Sequence, residues 1–396
     1  MVSKRAIILM GVSLIAVGIT IGVVLLLLNK SDAQTPVDIR ALAESSSDLD
    51  KFLGKLGRLQ ESGKYVDIAR MHGDDRYQCP HEKPTFLAWH RAYLIFMENE
   101  LGYMWPYWDW TEEIHIPIID SPTYKGQRNP LNTGYMYDSA QGGELRNVLT
   151  TRDWQDLSAP YLAEYVYRAL TRNDFGEFQR ELEAVHAIVH NSIGGTMVPV
   201  KTSAFDPIFW LHHSFVNVVF SMWIALHPKA NLAAFNDQVV GGYDLVGSTT
   251  TFQAAYGRNV KFPYNDVFRR AASAVDGGIG TGIQFQPMEA GVPDHKHLIV
   301  LLHNVTSPMD SQTIRVTFNG KPAGFMGMIG MMHRDMMNMA RLEYDRVVDV
   351  TQAYFQFCNG LNLDQVRDVT QIEVDNLSSG KKEHYQGPWS LHWEVY

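Results

Sequence analysis

The sequence contains little cysteine: only Cys79 and Cys358 occur in 396 residues. Two cysteines exclude a small scaffold held together by several disulfides, so the stability of the fold has to come from an apolar core. Hydrophobic residues make up 45% of the chain and charged residues 19%, which is typical of globular proteins and excludes a disordered chain. The length suffices for one large domain or two ordinary ones.

Positive charge is also scarce. The formal net charge is −9 at pH 7, and no long basic run occurs. A chain of this kind is not expected to bind nucleic acid or an anionic membrane surface. Nothing in the composition indicates a polyanionic partner, and the oligomeric state does not follow from the sequence.

The N-terminal segment, residues 1–34, differs from the rest of the chain. Two basic residues precede an uncharged apolar stretch, residues 6–28, which is long enough to cross a bilayer as a helix. This pattern predicts a single-pass membrane protein whose remaining residues face the lumen or the outside. In the alternative, a signal peptidase cleaves after Ala33 and the protein is secreted. Sequons at Asn304 and Asn376 are compatible with N-glycosylation in either location.

Residues 35–230 carry helical signals and are predicted to form a helical domain. Apolar residues recur at helical spacing over residues 86–101, and Pro84 is expected in the first turn of that helix. Further along the chain, an amphipathic helix is predicted over residues 177–190. These helices are expected to pack as a bundle.

Capping signals delimit the later helices. Gly194 is expected to help end the amphipathic helix, since glycine favours the backbone conformation found just after helices. Asp206, followed by proline, is the predicted N-cap of a third helix over the apolar residues 208–226.

The pattern changes in the last quarter of the chain. Residues 231–292 are predicted to be a connecting region, and residues 293–396 a β-rich domain of short strands separated by turn residues. One such turn is Asn319-Gly320, a common pair in hairpins. The predicted strands are residues 297–302, 313–318, 347–351 and 370–374.

Histidines are placed as metal ligands require. His186 and His190 are four residues apart on a predicted helix, so both imidazoles project from one face and can share a metal. His212 and His213 supply a third ligand from another helix. A donor set made only of nitrogen suits copper or zinc.

A second trio lies upstream: His72, His81 and His90. Two trios imply two metals, and three imidazoles per metal leave a coordination position open on each for a small ligand. The carboxylates expected for a di-iron site in a helical bundle are missing from these motifs.

Three longer motifs surround these histidines. They are His81-x4-Phe86-Leu87-x-Trp89-His90-Arg91-x2-Leu94-x3-Glu98, Trp105-Pro-Tyr-Trp-Asp-Trp110 and Asp206-Pro-x-Phe-Trp-x2-His213. In these motifs the chain resembles the type-3 copper proteins: the tyrosinases, catechol oxidases and molluscan hemocyanins. The overall resemblance is greatest to a molluscan hemocyanin functional unit and covers most of residues 70–351. Asn217 departs from the family's aspartate, which puts the tuning of the site in doubt rather than metal binding.

The resemblance implies an α+β fold, with a mainly α-helical dicopper domain built on a four-helix core and a C-terminal β-sandwich-like domain. It also implies two copper ions that bind dioxygen as a bridging peroxide. The implied ligands are His72, His81 and His90 at one copper and His186, His190 and His213 at the other. His212 is then a neighbour of the second copper. A thioether between Cys79 and His81 is implied as well, with an ordinary buried thiol as the alternative.

For function, the resemblance implies a copper oxidoreductase that oxidises o-diphenols to o-quinones, with monophenols as further candidate substrates. The alternative is a hemocyanin-like protein that binds dioxygen reversibly. An enzyme is favoured because a circulating carrier gains from many linked units, whereas this chain carries one.

Four residues bear on that choice. Glu183 resembles a glutamate that holds a water able to deprotonate phenols, and an exposed helix carboxylate is the alternative. Ala187 cannot hold such a water, so o-diphenols are the expected substrates. Val200 is expected to leave the entrance to the second copper open, and Asn191 is a further candidate catalytic residue.

A methionine cluster completes the candidates, with seven methionines between Met326 and Met339. Thioethers favour Cu(I), so copper delivery is one interpretation. The other is packing, because methionine fills irregular gaps in protein cores.

Overall fold

The computed structural model describes a large part of the chain. The described residues are 36–74, 79–137, 145–155, 159–227, 230, 239–240, 250–251, 296–306, 308, 310–329, 343–377 and 379–395. Within these ranges no helix has both the length and the apolar character needed to span a bilayer. The predicted anchor, most of the connecting region and most of the methionine cluster lie outside the described residues, so these interpretations stay predictions.

Helices dominate the described chain up to residue 226. The α-helices are α1 Ile39–Glu44, α2 Ser46–Glu61, α3 Lys64–Ala69, α4 Phe86–Leu101, α5 Pro117–Asp120, α6 Ala159–Thr171, α7 Phe175–Ile193, α8 Val200–Ser203 and α9 Pro207–Leu226. Helices α4, α6, α7 and α9 pack on one another and form the predicted four-helix core. Two 3₁₀ turns, Arg70–Gly73 and Gly195–Met197, lie beside this core.

Short antiparallel pairs accompany the helices. They are β1 Thr123–Tyr124 with β2 Gln127–Arg128, β3 Tyr135–Tyr137 with β4 Leu145–Leu149, and β5 Val239–Val240 with β6 Thr250–Thr251. The helical core itself is rich in buried aromatic side chains. One example is the stacked pair of Trp105 and Trp210, whose ring centroids are 6.1 Å apart. Such rings bury large apolar areas and leave little room for movement around the site.

The predicted helix ends are partly confirmed. Helix α9 begins at Pro207, and the Asp206 carboxylate accepts a hydrogen bond from the Ile208 N–H at 3.0 Å. Helix α7 ends before Gly194, as expected, but begins at Phe175 rather than residue 177, because Asp174 caps it. The placement of Pro84 is wrong, since α4 begins at Phe86 with Thr85 as its N-cap.

The C-terminal region contains two antiparallel sheets. Its strands are β7 Lys296–Thr306, β8 Gln312–Phe318, β9 Lys321–Met328, β10 Glu343–Asp349, β11 Thr370–Asn376, β12 Lys382–His384 and β13 Trp389–Val395. The sheet orders are β10-β7-β13 and β12-β11-β8-β9. Apolar residues from both sheets share one core, in which Val300 and Val316 are buried. The expected sandwich-like packing is therefore confirmed.

The connections between these strands agree with the sequence in one place and differ in another. Asn319 and Gly320 both have positive φ, 49° and 75°, as a two-residue type I′ hairpin between β8 and β9 requires. The strand predicted over residues 347–351 ends at Asp349, because Thr351 begins helix α10, Thr351–Ala353. A π-helical turn, Tyr354–Cys358, and helix α11, Leu363–Val369, follow before β11.

Strand β9 lies directly on helix α7. A Cβ atom added to Gly327 would meet the carbonyl carbon of Ala187 and the nitrogen of Ile188 at 2.5 Å, so only glycine permits this approach. Nearby, the Phe325 carbonyl accepts hydrogen bonds from the hydroxyls of Tyr161 and Tyr165 at 3.2 and 3.0 Å. The C-terminal strands β7 to β13 and their connections, residues 296–395, are called the sheet region below. Through strand β9 the sheet region covers the middle of α7.

A buried charge cluster forms a second contact between helices and sheets. His297 of β7 donates from Nδ1 to the Asp349 carboxylate of β10 at 2.7 Å, and Glu164 of α6 lies 3.9 Å from the same nitrogen. Arg168 of α6 donates to Glu181 of α7 at 2.6 Å and approaches Asp349 to 3.9 Å. Burial, and then the Asp349 carboxylate, raise the pKa of Glu164 well above its usual range.

Candidate metal centre

The first histidine group combines three kinds of local structure. His72 lies in the 3₁₀ turn, His81 in the irregular segment before α4, and His90 within α4. His72 and His90 both use Nδ1 to donate to backbone carbonyls, those of Val200 at 2.8 Å and Phe86 at 2.9 Å. Their Nε2 atoms then carry lone pairs, and these atoms face each other at 3.2 Å. The two lone pairs repel each other at this distance, and a cation bound between the two nitrogen atoms would attract both.

Cys79 belongs to the same group. Its Sγ lies 3.9 Å from His81 Nδ1 and 3.6 Å from His90 Nε2. Burial raises the pKa of the Cys79 thiol. The thioether between Cys79 and His81 stays a prediction.

The second histidine group stands on helices α7 and α9. His186 and His190 project from α7, and His212 and His213 from α9, with ligand atoms of all four within 4.8 Å of one another. His190 Nδ1 donates to the Met197 carbonyl at 2.8 Å. Within the described part of the chain, no hydrogen-bond partner exists for Nε2 of His186, His190 or His213, although all three atoms are buried. Buried polar atoms without partners are costly, and a bound metal would satisfy them.

His212 differs from the other three. Its Nδ1 accepts a hydrogen bond from Trp110 Nε1 at 3.0 Å, so the proton of the neutral ring sits on Nε2. A protonated nitrogen is a donor and offers no lone pair to a metal. This tautomer agrees with the prediction that His213 is the ligand and His212 its neighbour, and the assignment stays a prediction.

The two groups face one another inside the helical core. The rings of His90 and His213 are stacked at 4.4 Å with an angle of 6° between their planes. His81 and His186 are 6.0 Å apart between centroids. All of the histidines assigned as ligands are buried, which keeps bulk water away from both groups.

Burial also sets the protonation of these rings. It lowers the pKa of His90 to about 3 and that of His190 to about 4. Burial, with smaller effects of neighbouring imidazoles, lowers the pKa values of His186 and His213 well below their usual range. Near pH 7 these rings are neutral, which is the state that binds metals. The donor set fits copper, for which neutral imidazole is a common ligand.

Glu183 is buried beside the second group. Its Oε1 accepts the backbone N–H of Glu82 at 2.5 Å, and only 8% of the residue is exposed. The alternative of an exposed helix carboxylate is therefore wrong. Burial, and then the nearby Glu82 carboxylate, raise the pKa of Glu183 well above its usual range.

A small cavity of about 10 Å³ adjoins Glu183. It has room for about one water molecule. Its lining residues come from the segment after His81, from α7 and from the sheet region: Glu82, Glu183, Ala184, Ala187, Gly327, Met328, Ile329 and Arg346. Ala187 thus lies where the sequence placed it, next to Glu183.

The other two candidates contact different parts of the molecule. Asn191 Nδ2 donates to the Gln312 carbonyl of β8 at 2.9 Å, so its side chain joins α7 to the sheet region. Val200 contacts the first group, since its carbonyl accepts from His72, whereas the sequence placed it over the second copper. Their catalytic and gating roles stay predictions.

Sequence reasoning missed two contacts of residues next to the histidines. Arg91 donates to Asn217 Oδ1 at 2.5 Å, so the residue that departs from the family pattern still accepts from the neighbour of His90. Glu82 forms an ion pair with Arg346 of β10. No sequence signal could connect these two residues, which are 264 positions apart.

The sequence of this chain is similar to those of known copper proteins. The family model described as the common central domain of tyrosinase matches residues 62–152 and 118–226. The chain is 31% identical to Hemocyanin 1 of Megathura crenulata over 202 residues, which are 45% of this chain and 6% of that protein. It is 27% identical to a tyrosinase of Gallus gallus over 205 residues, 37% of this chain and 38% of that protein.

The chain belongs to the type-3 copper proteins. Proteins of this family bind two copper ions, and the two histidine groups are places that could hold them. The chain spans less than a tenth of the length of Hemocyanin 1.

Solved structures of type-3 copper proteins share the fold. A functional unit of Octopus hemocyanin superposes with a TM-score of 0.67 at 18% identity, covering 91% of this chain and 99% of that one. An Aspergillus oryzae pro-tyrosinase gives a TM-score of 0.66 at 15% identity, covering 91% and 92%. Both the helical core and the C-terminal sheets are therefore features of the family fold.

Proposed function

We propose that this protein is a dicopper oxidase that converts o-diphenols to o-quinones with dioxygen as co-substrate. In this proposal the first histidine group holds one copper and the second holds the other. The ligands are His72, His81 and His90 for the first ion and His186, His190 and His213 for the second. Bound copper supplies the redox chemistry, which no side chain of the site provides.

The observation that carries the proposal is the buried carboxyl group of Glu183, one helical turn before His186. A carboxylate in a desolvated site is a stronger base than an exposed one, because burial disfavours its charged form. Glu183 is thus suited to accept the proton of a phenolic hydroxyl. Reversible dioxygen binding alone has no need of such a base.

The preference for o-diphenols rests on Ala187. Ala187 lines the cavity beside Glu183, and its methyl side chain can form no hydrogen bond to a water there. A monophenol is a weaker acid than an o-diphenol and depends more on a positioned base or water. We therefore expect slow or absent turnover of tyrosine.

Access to the site depends on the sheet region. Strand β9 lies against Ala187, and the cavity of about 10 Å³ is too small for a phenol. We expect activity to be latent until β9 moves away from α7, so assays should include a mild detergent or limited proteolysis.

The alternative function is reversible dioxygen binding, for which the same two histidine groups would hold the coppers. The experiment that separates the two functions measures dioxygen uptake and quinone formation together, with 4-methylcatechol and the copper-loaded full-length protein. For an oxidase, Glu183→Gln should slow the rate by about tenfold to a hundredfold. Glu177→Gln, on the exposed first turn of α7, is the matched control and should leave the rate unchanged. Dioxygen binding that reverses under vacuum, with no quinone in detergent, would identify a carrier.

A further inference from the structure

Glu82, the residue directly after His81, has an unusual backbone conformation. Its φ is 57°, in the left-handed region that glycine enters freely and other residues rarely adopt. A residue with a Cβ atom is strained there and stays there only when its surroundings hold it. The contacts of Glu82 should therefore reveal what holds it.

Glu82 contacts a helix and the sheet region. Its backbone N–H donates to Glu183 Oε1 at 2.5 Å, and its carboxylate forms an ion pair with the guanidinium of Arg346. The side chains of Glu82 and Arg346 are only 7% and 10% exposed. Away from solvent, such a pair is screened less and attracts more strongly than a surface pair. Arg346 belongs to β10, so the partner of Glu82 comes from the sheet region.

We propose that Arg346 is a positioning residue for the first copper: it holds Glu82 in the left-handed conformation and thereby fixes the backbone that carries His81. The proposal rests on the assignment of His81 as a ligand. In this proposal the sheet region positions a ligand of the first copper and also covers the site.

The local structure explains why His81 needs such support. His90 lies within α4, and the 3₁₀ turn carries His72, whose ring a backbone carbonyl orients. His81 lies outside any helix, where the ladder of helical hydrogen bonds does not fix the backbone. A ligand on such a segment is placed accurately only if neighbouring residues fix its φ and ψ.

The test is Arg346→Gln in the full-length, copper-loaded protein. A chelator of Cu(I) is added under reducing conditions, and the copper remaining per chain is followed with time. We expect one of the two coppers to leave about tenfold faster, which corresponds to a typical coupling between contacting residues. The other copper, on α7 and α9, should leave at the wild-type rate. Arg346→Lys keeps the charge and should restore much of the retention.

Arg315→Gln is the control. Arg315 is another arginine of the sheet region, and its Nε donates to Asp375 at 2.6 Å in an ion pair that does not involve a neighbour of the histidines. Its loss should leave both copper release rates unchanged. Equal effects of the two arginine variants, or equally faster loss of both coppers from Arg346→Gln, would overturn the proposal in favour of a general stabilising role.

Glu82→Gly gives a sharper test, because glycine adopts positive φ without strain. In the Glu82→Gly background, Arg346→Gln should add little to the release rate. Additive effects of the two substitutions would show that Arg346 does not act through Glu82.

A measurement without copper separates this proposal from the proposed function. In the metal-free protein, Arg346→Gln should speed amide hydrogen exchange in residues 79–85 but not in the middle of α9. If the wild-type chain held no copper, the proposed function would fail, while the exchange result would still decide whether Arg346 holds this segment. Unchanged exchange in a chain that binds two coppers would refute the positioning role alone.

Discussion

The second histidine group stands on two helices, whereas the first is assembled from a 3₁₀ turn, an irregular segment and a helix. His186 and His190 share one face of α7 because helical geometry brings residues four apart together, and α9 adds His213. The first group needs contacts from elsewhere: the Val200 carbonyl orients His72, and Arg346 meets the residue after His81. Helical geometry thus places two ligands of the second group, whereas the first group depends more on contacts between distant parts of the chain.

The largest expected effect comes from removing a ligand of the helical group. His186→Ala should lower the affinity for one copper by more than about a hundredfold, since loss of a ligand should exceed the effect of losing a ligand's supporting contact. Copper analysis of the purified protein should then give one ion per chain. His384→Ala, at an exposed histidine of β12, is the control and should keep two. Two coppers in the His186 variant would show that the ligands are misassigned.

Removal of copper should affect the two groups unequally. Bound metal stabilises the folded state by about 4 kcal/mol per site when its free concentration is a thousand times its Kd. Denaturant unfolding with and without a chelator measures the total. Hydrogen exchange should show the greater loss of protection in residues 70–74 and 79–85, because helical hydrogen bonds hold α7 and α9 without metal. Equal loss of protection in these residues and in α7 and α9 would show that the two histidine groups do not differ in their dependence on metal.

Docking of the sheet region should depend on pH through Glu164. The pKa of Glu164 is raised above 4.5 in the folded protein, so the folded chain keeps this proton at pH values where the unfolded chain releases it. The stability that Glu164 contributes is therefore fully present below pH 4.5 and is lost as the pH rises through the folded-state pKa. The loss is at most about 1.4 kcal/mol per pH unit. Glu164→Gln should therefore gain stability relative to wild type as the pH rises above 4.5.

The exposed Glu177→Gln variant is the control for this measurement, by denaturant unfolding at each pH. Weaker docking at high pH should also loosen residues 79–85 before it affects α9. A constant difference between Glu164→Gln and wild type at all pH values would show that Glu164 is not the titrating group.

The smallest expected effect concerns the choice of substrate. Ala187→Asn adds an amide beside Glu183 that can hold a water, so the ratio of monophenol to diphenol oxidation should rise by a few-fold, about 0.6 to 1 kcal/mol in relative barrier. The measurement compares tyrosine with L-DOPA in the presence of mild detergent. Rapid tyrosine hydroxylation by the unmodified protein would show that Ala187 does not limit the reaction.

Several site features could be predicted from the sequence because they depend on residues close together in the chain. The helices over 86–101 and 208–226, the pair His186 and His190, and the hairpin at Asn319-Gly320 follow from spacing and backbone preference. Pro84 was misplaced because the helix begins two residues later, at Phe86, and the proline precedes the N-cap residue Thr85.

Long-range contacts could not be predicted in this way. Asn191 joins α7 to β8, Val200 meets the first group through its carbonyl, and Trp110 fixes the tautomer of His212. Each contact depends on which faces of distant elements pack together, and side-chain periodicity shows only that a face is buried, without showing its partner.

The sequence by itself determined which side chains could bind metal in this protein: histidines in two sets, on helices and turns whose local signals are strong. Only the tertiary structure decided how those sets are covered and supported. The close approach of Gly327 to α7 and the ion pair between Glu82 and Arg346 join residues far apart in the chain. Their free energy comes from desolvation and close packing, which exist only once the sheets lie on the helices.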